Sequence, residues 1–177
     1  MSNKGVKILY KTDFPYSSAR YNQFDNHKWN LLLDLDSTLI SALSLDKEVK
    51  KVPESLRNSF KTHRMEKYYD IMERPKLQQF LDYAFANYNV SIMTAADKDY
   101  ALFIAENIIL AGHPERKLKY FFYGYHSALS ESMYNSPKDL RILWDILKIP
   151  GLNKTNTIIL DDNELVYKAN PDRKSTR

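Results

Sequence analysis

The chain has 177 residues, 44% of them apolar and 27% charged, with a net charge of +4 and no cysteine. That balance suits one globular domain spanning residues 1–177 with a substantial core. It excludes disulfides, thiolate catalysis and cysteine-ligated zinc, so any metal is held by oxygen or histidine.

The opening Met1-Ser-Asn-Lys-Gly5 lacks the apolar stretch of a signal peptide, and the longest oily segment, Ala101 to Leu110, is broken by Glu106 and Asn107. A soluble, intracellular, monomeric protein without a membrane span is therefore expected, with cytoplasm and nucleus both open. Basic clusters at 47–51, 116–119 and 173–177 read first as solvated faces. Their functional alternative is attraction for anionic partners, either phosphopeptides or nucleic acid.

In chain order, Trp29 to Leu33 is a short apolar run that stops abruptly at Asp34, the pattern of a buried strand delivering polar residues at its carboxyl end. Residues 43–69 are polar and weakly periodic, predicting a connection with one helix around Glu54 to His63. Pro75 followed by Leu77, Phe80, Leu81, Ala84 and Phe85 predicts an amphipathic helix. Val90 to Met93 predicts a second strand, ending at Thr94, and Asp97 is placed to start a helix that runs to Gly112. Leu118 to Tyr123 is strand-like, and about 113–136 is expected to hold a small insertion. Ser136-Pro137 predicts a helix start, with Leu140, Leu143, Trp144 and Leu147 as its buried face. Thr157 to Leu160 is a further β-branched run ending in Asp161 and Asp162. Alternating strands and helices predict an α/β fold, a mostly parallel sheet flanked by helices that binds ligands beyond its carboxyl edge.

Asp34 and Asp36 stand two residues apart, so an extended segment points both carboxylates one way and turns Leu35 to the core. Clustered carboxylates repel, and a hard dication that prefers oxygen relieves the repulsion while reaching phosphate oxygens. Magnesium fits that task better than zinc. A helix-loop-helix calcium site would need Gly at Leu39 and Glu at Leu45, so it fails. Taken alone, the Asp pair would be a polar turn after a strand.

The pair does not stand alone. Asp34-Leu-Asp-Ser-Thr-Leu39, Ile92-Met-Thr-Ala-Ala96 with Tyr100, Lys138-Asp-Leu140, and Ile159-Leu-Asp-Asp162 with Asn170-Pro171 occur in this order. Together with Arg74-Pro75 and Phe80-Leu81, they resemble the haloacid dehalogenase superfamily. Within it they resemble the DxDxT phosphatases of the RNA polymerase II C-terminal domain, which share an NLI-interacting-factor-like domain.

The resemblance spans 31–171 and implies a Rossmann-like fold and a magnesium-dependent phosphatase working through a phospho-aspartate. It implies Asp34 as nucleophile and Asp36 as general acid and base. Thr94, Lys138, Thr38 and Tyr100 would bind phosphate or substrate. Magnesium would sit on the Asp34 carboxylate, the Asp36 carbonyl and Asp162, with Asp161 close by. The implied substrate is phosphoserine or phosphothreonine in proteins, as in the polymerase tail. The alternatives are a small metabolite, a nucleic-acid phosphate end, or a non-catalytic phosphopeptide-binding module on the same fold. Without the resemblance, Thr94 would read as a strand-end cap, Lys138 as an exposed helix-start lysine and Tyr100 as core. His27, His63, His113 and His126 form no ligand pattern and read as surface or structural residues. His126 falls near where the family carries a substrate-binding arginine.

Overall fold

The structure, a computed structural model, describes Asp25 and residues 27–171. Its centre is a four-stranded parallel sheet. Strand β1 (Asn30–Leu33) leads into a second, antiparallel sheet of β2 (Ile40–Ser44), β3 (Thr62–Met65) and β4 (Tyr69–Glu73), with the short helix α1 (Glu54–Arg57) between β2 and β3. Helix α2 (Leu77–Asn87) then leads to β5 (Asn89–Met93). Helix α3 (Lys98–Ile104) continues as a π-helical turn over Ala105–Ile109 before β6 (Phe121–Phe122). Helix α4 (Gly124–Tyr134), a π-helical segment Ile142–Ile146, β7 (Thr157–Leu160) and helix α5 (Glu164–Ala169) complete the described chain.

The main sheet has the order β6-β5-β1-β7. Leu33 lies opposite Ile92 on one side and Leu160 on the other. β1 and β7 therefore end level and β5 runs one residue further, to Met93, so the residues that follow all three share one edge. β1 also marks the point where the chain reverses its direction of travel across the sheet, and such points open a crevice for ligands.

Strand alternation divides the core in two. Leu31, Leu33, Val90 and Ile92 pack with Leu81, Ala84, Ala101 and Ile104 from α2 and α3. Leu32, Met93 and Ile159 point the other way, onto Phe122, Leu140, Ile142, Leu143, Leu147 and Val166. Each such leucine contributes about 2 kcal/mol by leaving water. The continuous apolar run of β1 is thus explained by burial on both faces.

Two stretches depart from expectation. Residues 43–69 hold strands rather than a helix around 54–63, where only the four residues of α1 are helical. In β3 exposure alternates with partial burial, and polar side chains do much of the pairing. Lys61 and His63 both reach Glu73 at 2.8 Å, and Arg64 and Arg57 meet Asp70. Charge pairs across strands replaced the apolar alternation by which a strand is read.

The stretch 113–136 supplies β6 to the main sheet and α4 to its face, so it is part of the central layers. The antiparallel sheet lies between β1 and α2, and α4 starts close against the loop that follows β5. Gly124 permits the close approach there: its amide donates to the Ala96 carbonyl at 2.7 Å, and a Cβ would meet the Ala95 and Ala96 oxygens at 3.0 and 3.1 Å.

His126 is fully buried in the first turn of α4, so it does not present itself to a substrate as an arginine at that place would. Its Nδ1 accepts the Tyr123 amide at 3.1 Å, and burial pushes its pKa from 6.5 down to about 4. The unfolded chain takes up a proton near pH 6.5 while the folded chain resists until about pH 4. The group's contribution is therefore complete above 6.5 and is lost as pH falls through that window. Between pH 7 and pH 5 the loss is about 2 kcal/mol. Urea unfolding at both pH values should show this difference shrinking in His126→Asn, which keeps an acceptor and removes the titration. An unchanged difference would contradict the assignment.

Candidate active site

The carboxyl edge gathers Asp34 after β1, Thr94 after β5, and Asp161 and Asp162 after β7. From Asp34 the chain makes a tight loop. The Leu35 carbonyl accepts the amides of Thr38, Leu39 and Ile40 at 3.3, 2.8 and 3.1 Å, and Ser37 adopts the left-handed conformation with φ 60°. Leu35 is fully buried, which leaves Asp34 and Asp36 on the open side. The Arg74 guanidinium and amide tie the loop down at the Ser37 and Leu39 carbonyls.

Lys138 is 5% exposed, not solvated. Its ammonium donates to Asp34 Oδ1 at 2.5 Å and to Asp161 Oδ2 at 2.7 Å. Burial works against its charge, but the two carboxylates outweigh burial and hold its pKa above the usual lysine value. Asn170 fixes the lysine's backbone, donating to the Lys138 carbonyl and accepting the Leu140 amide, both at 3.0 Å. Asp34 is raised to about 6, first by burial and then by Asp161, with Lys138 pulling the other way. Asp36 is also raised by burial, against a hydrogen bond from Tyr100.

Thr38 joins the ends of β1 and β7. Its Oγ1 lies 3.1 Å from Asp34 Oδ2 and 3.4 Å from Asp162 Oδ1, and it accepts the Asp162 amide at 3.2 Å. Thr94 is buried, and its Oγ1 accepts the Ala96 amide at 3.1 Å, which leaves its proton to donate. Tyr100 is half-buried on α3, and its hydroxyl donates to Asp36 Oδ1 at 2.6 Å. Asp36, Tyr69, Tyr100, Ala42, Ala96 and Asp97 line a groove of about 340 Å³.

Ligand atoms of Asp34, Asp161 and Asp162 all lie within 4.8 Å of one another. An oxygen-only set of this kind fits a hard dication such as magnesium. Asp161 already accepts Lys138 and the Asn163 amide, whereas Asp162 is exposed and the freer ligand. Asp82, His113 and Glu115 form a second cluster, in which the buried Arg116 already holds Asp82 at 2.6 Å.

The motifs along the chain include Arg74 and Asn170 without a task for either, and they do not include Ser130 or the groove residue Tyr69. Ser130 Oγ receives the Asp139 amide at 2.8 Å and donates to the Ser136 carbonyl at 2.6 Å, steadying the turn that carries Lys138. Among the described residues, no helix is long and apolar enough to cross a membrane.

A parallel sheet with three carboxylates, a buried lysine and a threonine at its carboxyl edge is an α/β arrangement of the kind that the resemblance to the haloacid dehalogenase superfamily implies. Residues 29–175 match the model of the NLI interacting factor-like phosphatases, and the chain belongs to that family. It is 41% identical over 155 residues to the CTD phosphatase-like protein 355R of Invertebrate iridescent virus 3, covering 84% of this chain and 82% of that protein. It is 42% identical over 145 residues to the protein of that name from Invertebrate iridescent virus 6, covering 79% of each. In fold it is similar to the fission yeast RNA polymerase II CTD phosphatase Fcp1 bound to beryllium fluoride, with a TM-score of 0.56 and 20% identity. That match covers 83% of this chain but only 40% of the Fcp1 chain.

Proposed function

We propose that this chain is a magnesium-dependent protein phosphatase that removes phosphate from phosphoserine or phosphothreonine through a phospho-aspartate on Asp34. The observation that carries the reading is the lysine-bridged pair: Asp34 and Asp161 share the Lys138 ammonium at 2.5 and 2.7 Å, beside Asp36 on the same loop. A buried cation that steadies the nucleophile also offers charge to an incoming phosphate.

In the first half-reaction an Asp34 oxygen bonds to phosphorus as the bond to the substrate oxygen breaks, and that oxygen takes the Asp36 proton. In the second, Asp36 takes a proton from water, whose oxygen attacks phosphorus and releases inorganic phosphate from Asp34. Thr94 and Lys138 bind the phosphate oxygens. Magnesium, held by Asp34, the Asp36 carbonyl, Asp162 and Asp161, would neutralise charge between carboxylate and phosphate.

The relatives named for the polymerase tail favour a phosphoserine peptide as substrate. With magnesium present, release of phosphate from a polymerase-tail phosphoserine peptide should exceed release from a 5′-phosphorylated oligonucleotide by tenfold or more in kcat/KM. Preference for the oligonucleotide would replace the protein substrate by a nucleic-acid end, which the net charge of +4 would also suit.

A further inference from the structure

We infer that Tyr100 is a positioning residue for the general acid Asp36, and that Tyr69 of the antiparallel sheet braces it. The assignment rests on the phosphatase reading above and adds a task for the sheet that residues 40–73 form. Asp36 stands on a loop only part-buried, next to a residue with φ 60°, so its carboxylate needs an external hold.

The Tyr100 hydroxyl supplies that hold, donating to Oδ1 at 2.6 Å across 64 residues of chain. A phenol is a donor throughout the neutral range. By occupying Oδ1 it leaves Oδ2 to carry the proton toward the leaving oxygen and later to accept one from water. The choice of oxygen fixes the direction of transfer.

Tyr100 is held in turn. The Tyr69 ring meets it edge to face, with centroids 5.3 Å apart and planes at 73°, a favoured aromatic geometry. Tyr69 opens β4, the central strand of its sheet, pairing with Ser44 on β2 and Met65 on β3. The same sheet grips the Asp36 loop at two further points. β2 starts where the loop ends, and Arg74, which follows β4, binds the Ser37 and Leu39 carbonyls. The acid is thus clamped between its own loop and a helix, both anchored on one sheet.

The leaving group discriminates positioning of an acid from lining of a groove. The p-nitrophenolate group departs without a proton, whereas the serine alkoxide requires one. With the full chain in excess over substrate and magnesium present, Tyr100→Phe should lower the single-turnover rate of dephosphorylated-peptide release from a phosphoserine peptide, which precedes the shared water step, by about tenfold to a hundredfold. For p-nitrophenolate release from p-nitrophenyl phosphate in the same assay the loss should stay under about threefold, with KM for both unchanged. Tyr69→Leu should show the same pattern at about a third of the loss, and Tyr69→Phe, which keeps the ring, should restore natural rates. Melting temperatures confirm that each variant folds, and the Tyr69 pair decides the matter should Tyr100→Phe not fold. Equal losses on both substrates, or a change in KM alone, would overturn the assignment and leave the phosphatase reading standing. A natural chain that hydrolyses neither substrate would overturn both.

Discussion

Asp34→Asn should reduce magnesium-dependent hydrolysis of p-nitrophenyl phosphate by about 10⁴-fold or more, because no other described carboxylate has the same combination of lysine contact and position after β1. Asparagine keeps the shape, its one oxygen can still accept from Lys138 and its NH2 can donate to the Thr38 hydroxyl oxygen, so the loss is one of nucleophilicity. Stability should move little. Burial already opposes the charged form of Asp34, raising it to about 6, and the substitution removes that charge while the Lys138–Asp161 pair at 2.7 Å persists. Urea unfolding at pH 7 should place the variant within about 1 kcal/mol of the natural chain, or above it. A large loss of stability alongside the loss of activity would mean that Asp34 is structural.

Lys138→Met should have the opposite balance. Methionine fills a similar volume but leaves Asp34 and Asp161 facing one another without the cation between them, both nearly buried. Removing one member of a buried ionic cluster costs about 3–5 kcal/mol, and urea unfolding should show a loss of that size. Turnover should fall by about 10²- to 10³-fold, since one charged donor to the phosphate is gone. The two variants together separate the reacting group from the group that holds it. A Lys138→Met protein of natural stability would show that the ammonium is not what keeps the two carboxylates together.

Much of this arrangement was legible along the chain, for a physical reason. Strands in the middle of a covered sheet are largely apolar, so the runs 29–33, 90–93 and 157–160 announced themselves, and each ends where a polar residue begins the site. The parallel register of β1, β5 and β7 then brings Asp34, Thr94, Asp161 and Asp162 to one edge. The antiparallel sheet was not legible, because Lys61, His63, Arg64, Asp70 and Glu73 pair across its strands and give no apolar period. The contacts that finish the site are long in sequence: Lys138 to Asp34 spans 104 residues and Tyr100 to Asp36 spans 64. Local pattern carries no information about such pairs. Thr38 looked like a motif position and is a tie between two strand ends. His126 falls near the family's arginine position, reads as a surface or structural residue, and is a buried cap.

The central claim is a covalent phosphate on Asp34, and trapping it tests that claim most directly. Turnover of p-nitrophenyl phosphate with magnesium would be quenched in acid, the protein reduced with borohydride, and its peptides read by mass spectrometry. An acyl phosphate is reduced to the alcohol, so Asp34 alone should appear as homoserine, only when substrate and magnesium are both present. Turnover without conversion at Asp34, or with conversion at another aspartate, would contradict the account.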